Sequence, residues 1–67
     1  MQYRFEIYKD NRGEYRWRFW APNNQIIAVS GEGYTTKQSC QHSIGLVKQY
    51  APTAPVIDST VPATYAY

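Results

Sequence analysis

The sequence predicts an α+β fold, an antiparallel β-β-β-α-β unit. Three observations predict it: strict apolar–polar alternation in two N-terminal stretches, a switch to helical spacing across residues 37–50, and an aromatic complement of 7 Tyr, 2 Trp and 2 Phe. Period two marks a strand with one buried face, and the helical period marks an amphipathic helix. Aromatic side chains favour pleated, half-buried surfaces.

Residues 3–8 read Tyr-Arg-Phe-Glu-Ile-Tyr, the first strand. Tyr3, Phe5 and Ile7 point inward; Arg4, Glu6 and Tyr8 point outward. Residues 9–13, Lys-Asp-Asn-Arg-Gly, make the turn, with Asp and Asn supporting it and Gly13 free to take positive φ. Residues 14–20 repeat the pattern, with Tyr15, Trp17 and Phe19 in the inner row. A five-residue loop pairs Ile7 with Tyr15 and Phe5 with Trp17, and keeps like faces together. It sets Glu6 against Arg16, which is favourable, and Arg4 against Arg18, which is not.

Ala21-Pro22-Asn23-Asn24 is a second turn, and the β-branched run over residues 25–30 is a third strand. Residues 30–34, Ser-Gly-Glu-Gly-Tyr, break the sheet. Thr35 or Thr36 is the helix N-cap, and Thr35 with Gln38 fits a capping box. Cys40, Ile44, Val47 and Ala51 then fall on one helical stripe, with Gln38, Gln41, Lys48 and Gln49 opposite. Gly45 costs this helix about 1 kcal/mol relative to Ala, so tertiary packing must hold it. Pro52 ends it. Residues 54–58, Ala-Pro-Val-Ile-Asp, are a short apolar run that suits a fourth strand, with Pro55 at its start. The expected organisation is one module over residues 1–58 and a flexible C-terminal tail over 59–67. The expected core is Tyr3, Phe5, Ile7, Tyr15, Trp17, Phe19, Cys40, Ile44 and Val47.

Length then bounds the chemistry. A domain near 67 residues buries only about 60% of the surface its unfolded chain exposes. Chains this small gain support from disulfides, a metal or self-association. Cys40 is the single cysteine, and one Cys with one His cannot fill a four-ligand zinc site. Homodimerisation is the remaining expectation. The unpaired thiol suits a reducing compartment, the charged start of the chain does not resemble a signal peptide, and no run approaches the roughly 20 apolar residues of a membrane span. The sequence therefore reads as cytoplasmic, with no membrane partner.

No catalytic, cofactor or metal set emerges. Gly31-Glu32-Gly33 before a helix invites an anion. However, Thr36 stands where a dinucleotide fingerprint needs its third Gly, and Glu32 would repel the ligand. A tight turn with positive φ explains the glycines more simply. Cys40 and His42 lie two apart on a helix and cannot face each other. The acids Glu6, Asp10, Glu14, Glu32 and Asp58 are scattered. Arg4, Tyr8, Arg16, Arg18 and Trp20 share the outer sheet face, a charge-plus-ring arrangement that suits single-stranded nucleic acid. With 7 basic against 5 acidic residues, an ordinary solvated face is the better reading, and nucleic-acid binding is the alternative.

Phe5-Glu6-Ile7-Tyr8-Lys9-Asp10, then Gly13-Glu14-Tyr15-Arg16-Trp17-Arg18, then Ser30-Gly31-Glu32-Gly33-Tyr34, resembles the YegP-like family of small bacterial domains of unknown function. The helix, with Ser39, Ile44 and Val47, is similar too, and the resemblance covers about residues 3–58. It implies units that exchange C-terminal strands, as tandem repeats or as two subunits, to make one continuous sheet. For a single-unit chain it implies a homodimer with Val56 and Ile57 on the exchanged strand. Asn23-Asn24, Gly45 and the tail depart from the family pattern. The resemblance implies no activity and no cofactor, so the leading expectation is a non-enzymatic homodimeric interaction module.

Overall fold

The computed structural model describes residues 2–60. Strands β1 (Arg4–Lys9), β2 (Tyr15–Trp20) and β3 (Ile26–Val29) form an antiparallel meander in the order β1-β2-β3. Helix α1 (Lys37–Tyr50) follows, continued by a short 3₁₀ turn at Ala51–Thr53.

The first hairpin closes two residues later than the sequence suggests. Asp10 N–H donates to the Glu14 carbonyl at 2.9 Å, and Gly13 N–H donates to the Asp10 carbonyl at 3.0 Å. The Asp10 carboxylate also accepts from the Arg12 and Glu14 N–H groups at 2.9 and 3.0 Å. With Gly13 at φ 77, these bonds complete a three-residue loop and exclude the five-residue one. Ile7 therefore faces Trp17, not Tyr15, and Phe5 faces Phe19, not Trp17. A slip of two preserves both faces, and it separates the two arginines. Glu6 now faces Arg18, and Arg4 faces Trp20.

The second hairpin turns on Asn24, at φ 66, a conformation that Asn tolerates better than most residues. A bulge between Phe19 and Trp20 puts Ala28 opposite Phe19 and Ile26 opposite Trp20. Ile26, Ile27 and Val29 are left about half exposed, at 48%, 56% and 56%. Positive φ does not explain Gly31 or Gly33, since Gly13 alone among the described glycines has it. Gly33 is needed for closeness instead. Tyr34 bridges Tyr15 by two backbone hydrogen bonds of 2.7 and 2.8 Å, and a Cβ on Gly33 would meet the Glu14 Cβ at 2.9 Å.

The helix cap is Thr36, whose hydroxyl accepts from the Ser39 N–H at 3.1 Å; the expected Thr35–Gln38 box is not formed. Helix α1 packs on β2, and the expected stripe divides there. Cys40 is wholly buried, Ile44 and Val47 are half-buried, and Ala51 is exposed. Trp17, Ala21 and Cys40 are the buried apolar residues among those described. Phe5, Ile7, Tyr15 and Phe19 are half-buried, and Tyr3 is 60% exposed although it stacks on Phe19. One helix cannot cover a three-stranded face, so the expected nine-residue core is half closed.

Among the described residues no fourth strand is formed. Residues 54–56 are irregular, and Ile57 is an isolated bridge position. Ser59 and Thr60 form a turn in which the Asp58 carboxylate accepts from the Thr60 N–H at 2.9 Å. The remainder of the expected tail, 61–67, lies outside the described residues.

Candidate interaction surfaces

The outer sheet face brings Arg4, Tyr8, Arg16, Arg18 and Trp20 together, because the observed register keeps even-numbered residues of β1 and β2 on one side. Each group is already engaged. Arg16 Nε meets Asp10 Oδ2 at 2.6 Å. This bond first, then the Glu14 N–H, holds the Asp10 carboxyl below its ordinary value, and the same bond raises Arg16. The Arg18 guanidinium lies 3.8 Å from the Tyr8 ring centroid, and Arg4 lies 5.2 Å from that of Trp20. Glu6 sits between them, accepting the Trp20 indole N–H at 2.9 Å, with Arg18 Nε 3.9 Å away. Arg4 reaches the Asn24 side-chain oxygen at 3.2 Å. Cations thus cover the two rings that would otherwise stack on bases, and two carboxylates offset the three arginines.

The inner face carries the second surface. A groove of about 430 Å³ opens between the sheet and the C-terminal end of α1, lined by Phe5, Trp17, Phe19, Ala28, Val47 and Pro52, with Lys48 as its one cationic neighbour. Beyond it, Val56 and Ile57 are 55% and 52% exposed. On the helix, Leu46 and Tyr50, one turn apart, are 44% and 58% exposed. A large share of the apolar side chains of so small a unit is thus left uncovered on this side.

Two serines that the sequence reading passed over hold the closed half of the core. The Trp17 indole N–H donates to the Ser43 hydroxyl at 3.0 Å, and that hydroxyl donates to the Cys40 carbonyl at 2.7 Å. Ser30, 5% exposed, accepts the Trp17 backbone N–H at 3.3 Å. The signal was present: Ser43 follows Cys40 by three residues on the apolar stripe, and a buried indole requires an acceptor.

Cys40 and His42 do not form a thiol–imidazole pair. His42 is exposed while Cys40 is buried, and burial pushes the Cys40 thiol up, away from the thiolate a nucleophile needs. Among the described residues no three His, Cys, Asp or Glu side chains gather to hold a metal, and no helix is long and apolar enough to cross a membrane.

Fold and surfaces together define a small α+β module with a closed polar lattice on the outer sheet face and an open aromatic groove on the inner one. The chain belongs to the family described as a domain of unknown function (DUF1508), whose model matches residues 10–58. It is 60% identical over 52 residues to a UPF0339 protein of Neisseria meningitidis serogroup B, covering 78% of this chain and 91% of that protein. A solution structure of a protein from Haloferax volcanii superimposes with a TM-score of 0.82 at 43% identity, covering 87% of this chain and 97% of that one. A UPF0339 protein of Stutzerimonas stutzeri matches at 48% identity over 48 residues, 72% of this chain but only 42% of its own length.

Proposed function

We propose that the protein is a non-enzymatic interaction module of the cytoplasm that works as a homodimer, two copies exchanging the segments that carry Val56 and Ile57. The observation that carries this reading is the half-covered inner face. Trp17, Ala21 and Cys40 are the buried apolar residues among those described, while Phe5 and Phe19 line an open groove. So small a core is marginal by itself. Among the described residues β1 and β3 are also the edge strands of the sheet, to which an extended segment can add. The length of the Stutzerimonas relative supports the reading, since more than half of it lies outside the match, room for a second unit.

Sedimentation tests this directly. A dimer is expected at micromolar concentration, converted to monomer by Val56→Asp with Ile57→Asp. A compact, thermally stable monomer of the unaltered chain overturns the reading. Turnover of a substrate that one point change abolishes without unfolding the protein would overturn its non-enzymatic part.

The second reading is single-stranded nucleic-acid binding through Arg4, Tyr8, Arg16, Arg18 and Trp20, and their alignment on one face favours it. It predicts salt-dependent binding lost in Arg16→Glu/Arg18→Glu. It also predicts tighter binding in Glu6→Gln, where one carboxylate no longer competes for Arg18. No binding at low salt ends it.

A further inference from the structure

We infer that the cleft between the end of β1 and the start of α1 binds a small phosphomonoester. Lys9 and Lys37 hold the phosphate there, and Ile7 with Tyr15 forms the wall for the apolar body of the ligand. The cleft has a volume of about 480 Å³, within the range of small-molecule sites, and Tyr8 and Gln41 complete its lining. It lies at the opposite end of α1 from the aromatic groove, which Val47 and Pro52 border. The inference therefore stands apart from the proposed dimer.

The register of the first hairpin builds one wall. Lys9 faces Tyr15 across the two strands, and both belong to the inner row with Ile7. The Lys9 ammonium lies 5.1 Å from the Tyr15 ring centroid, a cation–π contact that keeps the charge beside the sheet. The helix builds the other wall. Lys37 opens α1, and Gln41, four residues on, shares its face. Two elements distant in sequence thus bring two ammonium groups and an amide to one cleft.

Nothing in the fold neutralises that charge. Among the described residues the ion pairs are Arg16–Asp10 and Arg18–Glu6, so neither lysine has a carboxylate partner. The acids adjoining the hairpin wall are engaged elsewhere. Asp10 accepts from Arg16 and from the Arg12 and Glu14 N–H groups, and the Glu14 side chain lies against Gly33. The first turn of α1 holds no acidic residue, and a cation there opposes the helix dipole. A bound anion reverses this local cost. A phosphomonoester carries a charge of about −1.5 to −2 near pH 7, which matches two lysines, whereas a single carboxylate leaves one uncompensated.

NMR titration of the full chain with phenyl phosphate tests the inference. Signals of Lys9, Tyr15, Lys37 and Gln41 should move saturably, and those of Val47 and Ala51 should stay. Lys9→Gln or Lys37→Gln should weaken binding several-fold, and the double variant should abolish it. Lys48→Gln, at the far end of α1, should leave it unchanged. Inorganic phosphate should bind more weakly, because it leaves Ile7 and Tyr15 uncovered. Absence of a saturable shift at low salt overturns the inference. Equal affinity for the two probes, shifts centred on Arg4 and Arg18, or undiminished binding by the double variant overturns it as well.

Discussion

The indole N–H of Trp17 donates to the Ser43 hydroxyl at 3.0 Å, tying the middle of β2 to the second turn of α1. Trp17 is 7% exposed, and Cys40, one turn before Ser43, is wholly buried, so this bond lies inside the closed half of the core. The bond adds a directional contact to the docking of α1, whose Leu46 and Tyr50 stay largely exposed.

Ser43→Ala leaves the buried indole without an acceptor. The expected cost is about 1–3 kcal/mol, read by chemical denaturation. In a domain of this size each kcal/mol lowers Tm by about 4–8 °C. A double-mutant cycle with Trp17→Phe should show positive coupling, since the second change removes the orphaned donor. Equal, additive losses would assign the effect to packing alone.

Acid should weaken the first hairpin through Asp10. Its carboxyl is held below the ordinary value of 3.8, first by the Arg16 guanidinium and then by the Glu14 N–H. Above that value the stabilisation is complete; as pH falls through it the unfolded chain binds the proton first, and the advantage is gone below the lowered folded value. Denaturation midpoints of the natural chain should therefore fall more steeply below about pH 4 than those of Asp10→Asn. Parallel curves would dismiss the role.

Gly33→Ala should destabilise by crowding, not by φ. The added Cβ would meet the Glu14 carboxylate oxygen and stand 2.9 Å from the Glu14 Cβ, so Glu14→Ala should relieve it only in part and Glu14→Gly more fully. Gly13→Ala fails for the other reason, a φ of 77, and should cost about 1–2 kcal/mol with no rescue at position 14. Thermal melts of the single and double variants separate the two causes.

Cys40 should react with thiol reagents only when the core opens. Its side chain is inaccessible and burial raises its pKa. Labelling rates should follow the fraction unfolded as denaturant is added. Fast labelling under native conditions would contradict the packing of α1 on β2.

Dilution gives a last check on the proposed dimer. If copies complete each other, Tm rises with protein concentration, as for any state stabilised by association. A Tm constant over a hundredfold range of concentration speaks against it.

Local pattern determined much of this molecule. The alternation in residues 3–8 and 14–20 fixed which side chains share a face, and the helical stripe placed α1 at Lys37–Tyr50. Faces survive a register error of two because the side-chain period is two. The five residues placed on the outer face are therefore found there, although their partners changed. Register itself was decided by the Asp10 carboxylate and the φ of Gly13, bonds that no periodicity encodes. Likewise only the packed structure shows that Arg18 lies over Tyr8, that Ser43 serves Trp17, and that one helix leaves Phe5 and Phe19 beside an open groove. Sequence assigns each side chain a direction; how much of it stays wet depends on which surfaces meet, and that is a property of the whole fold.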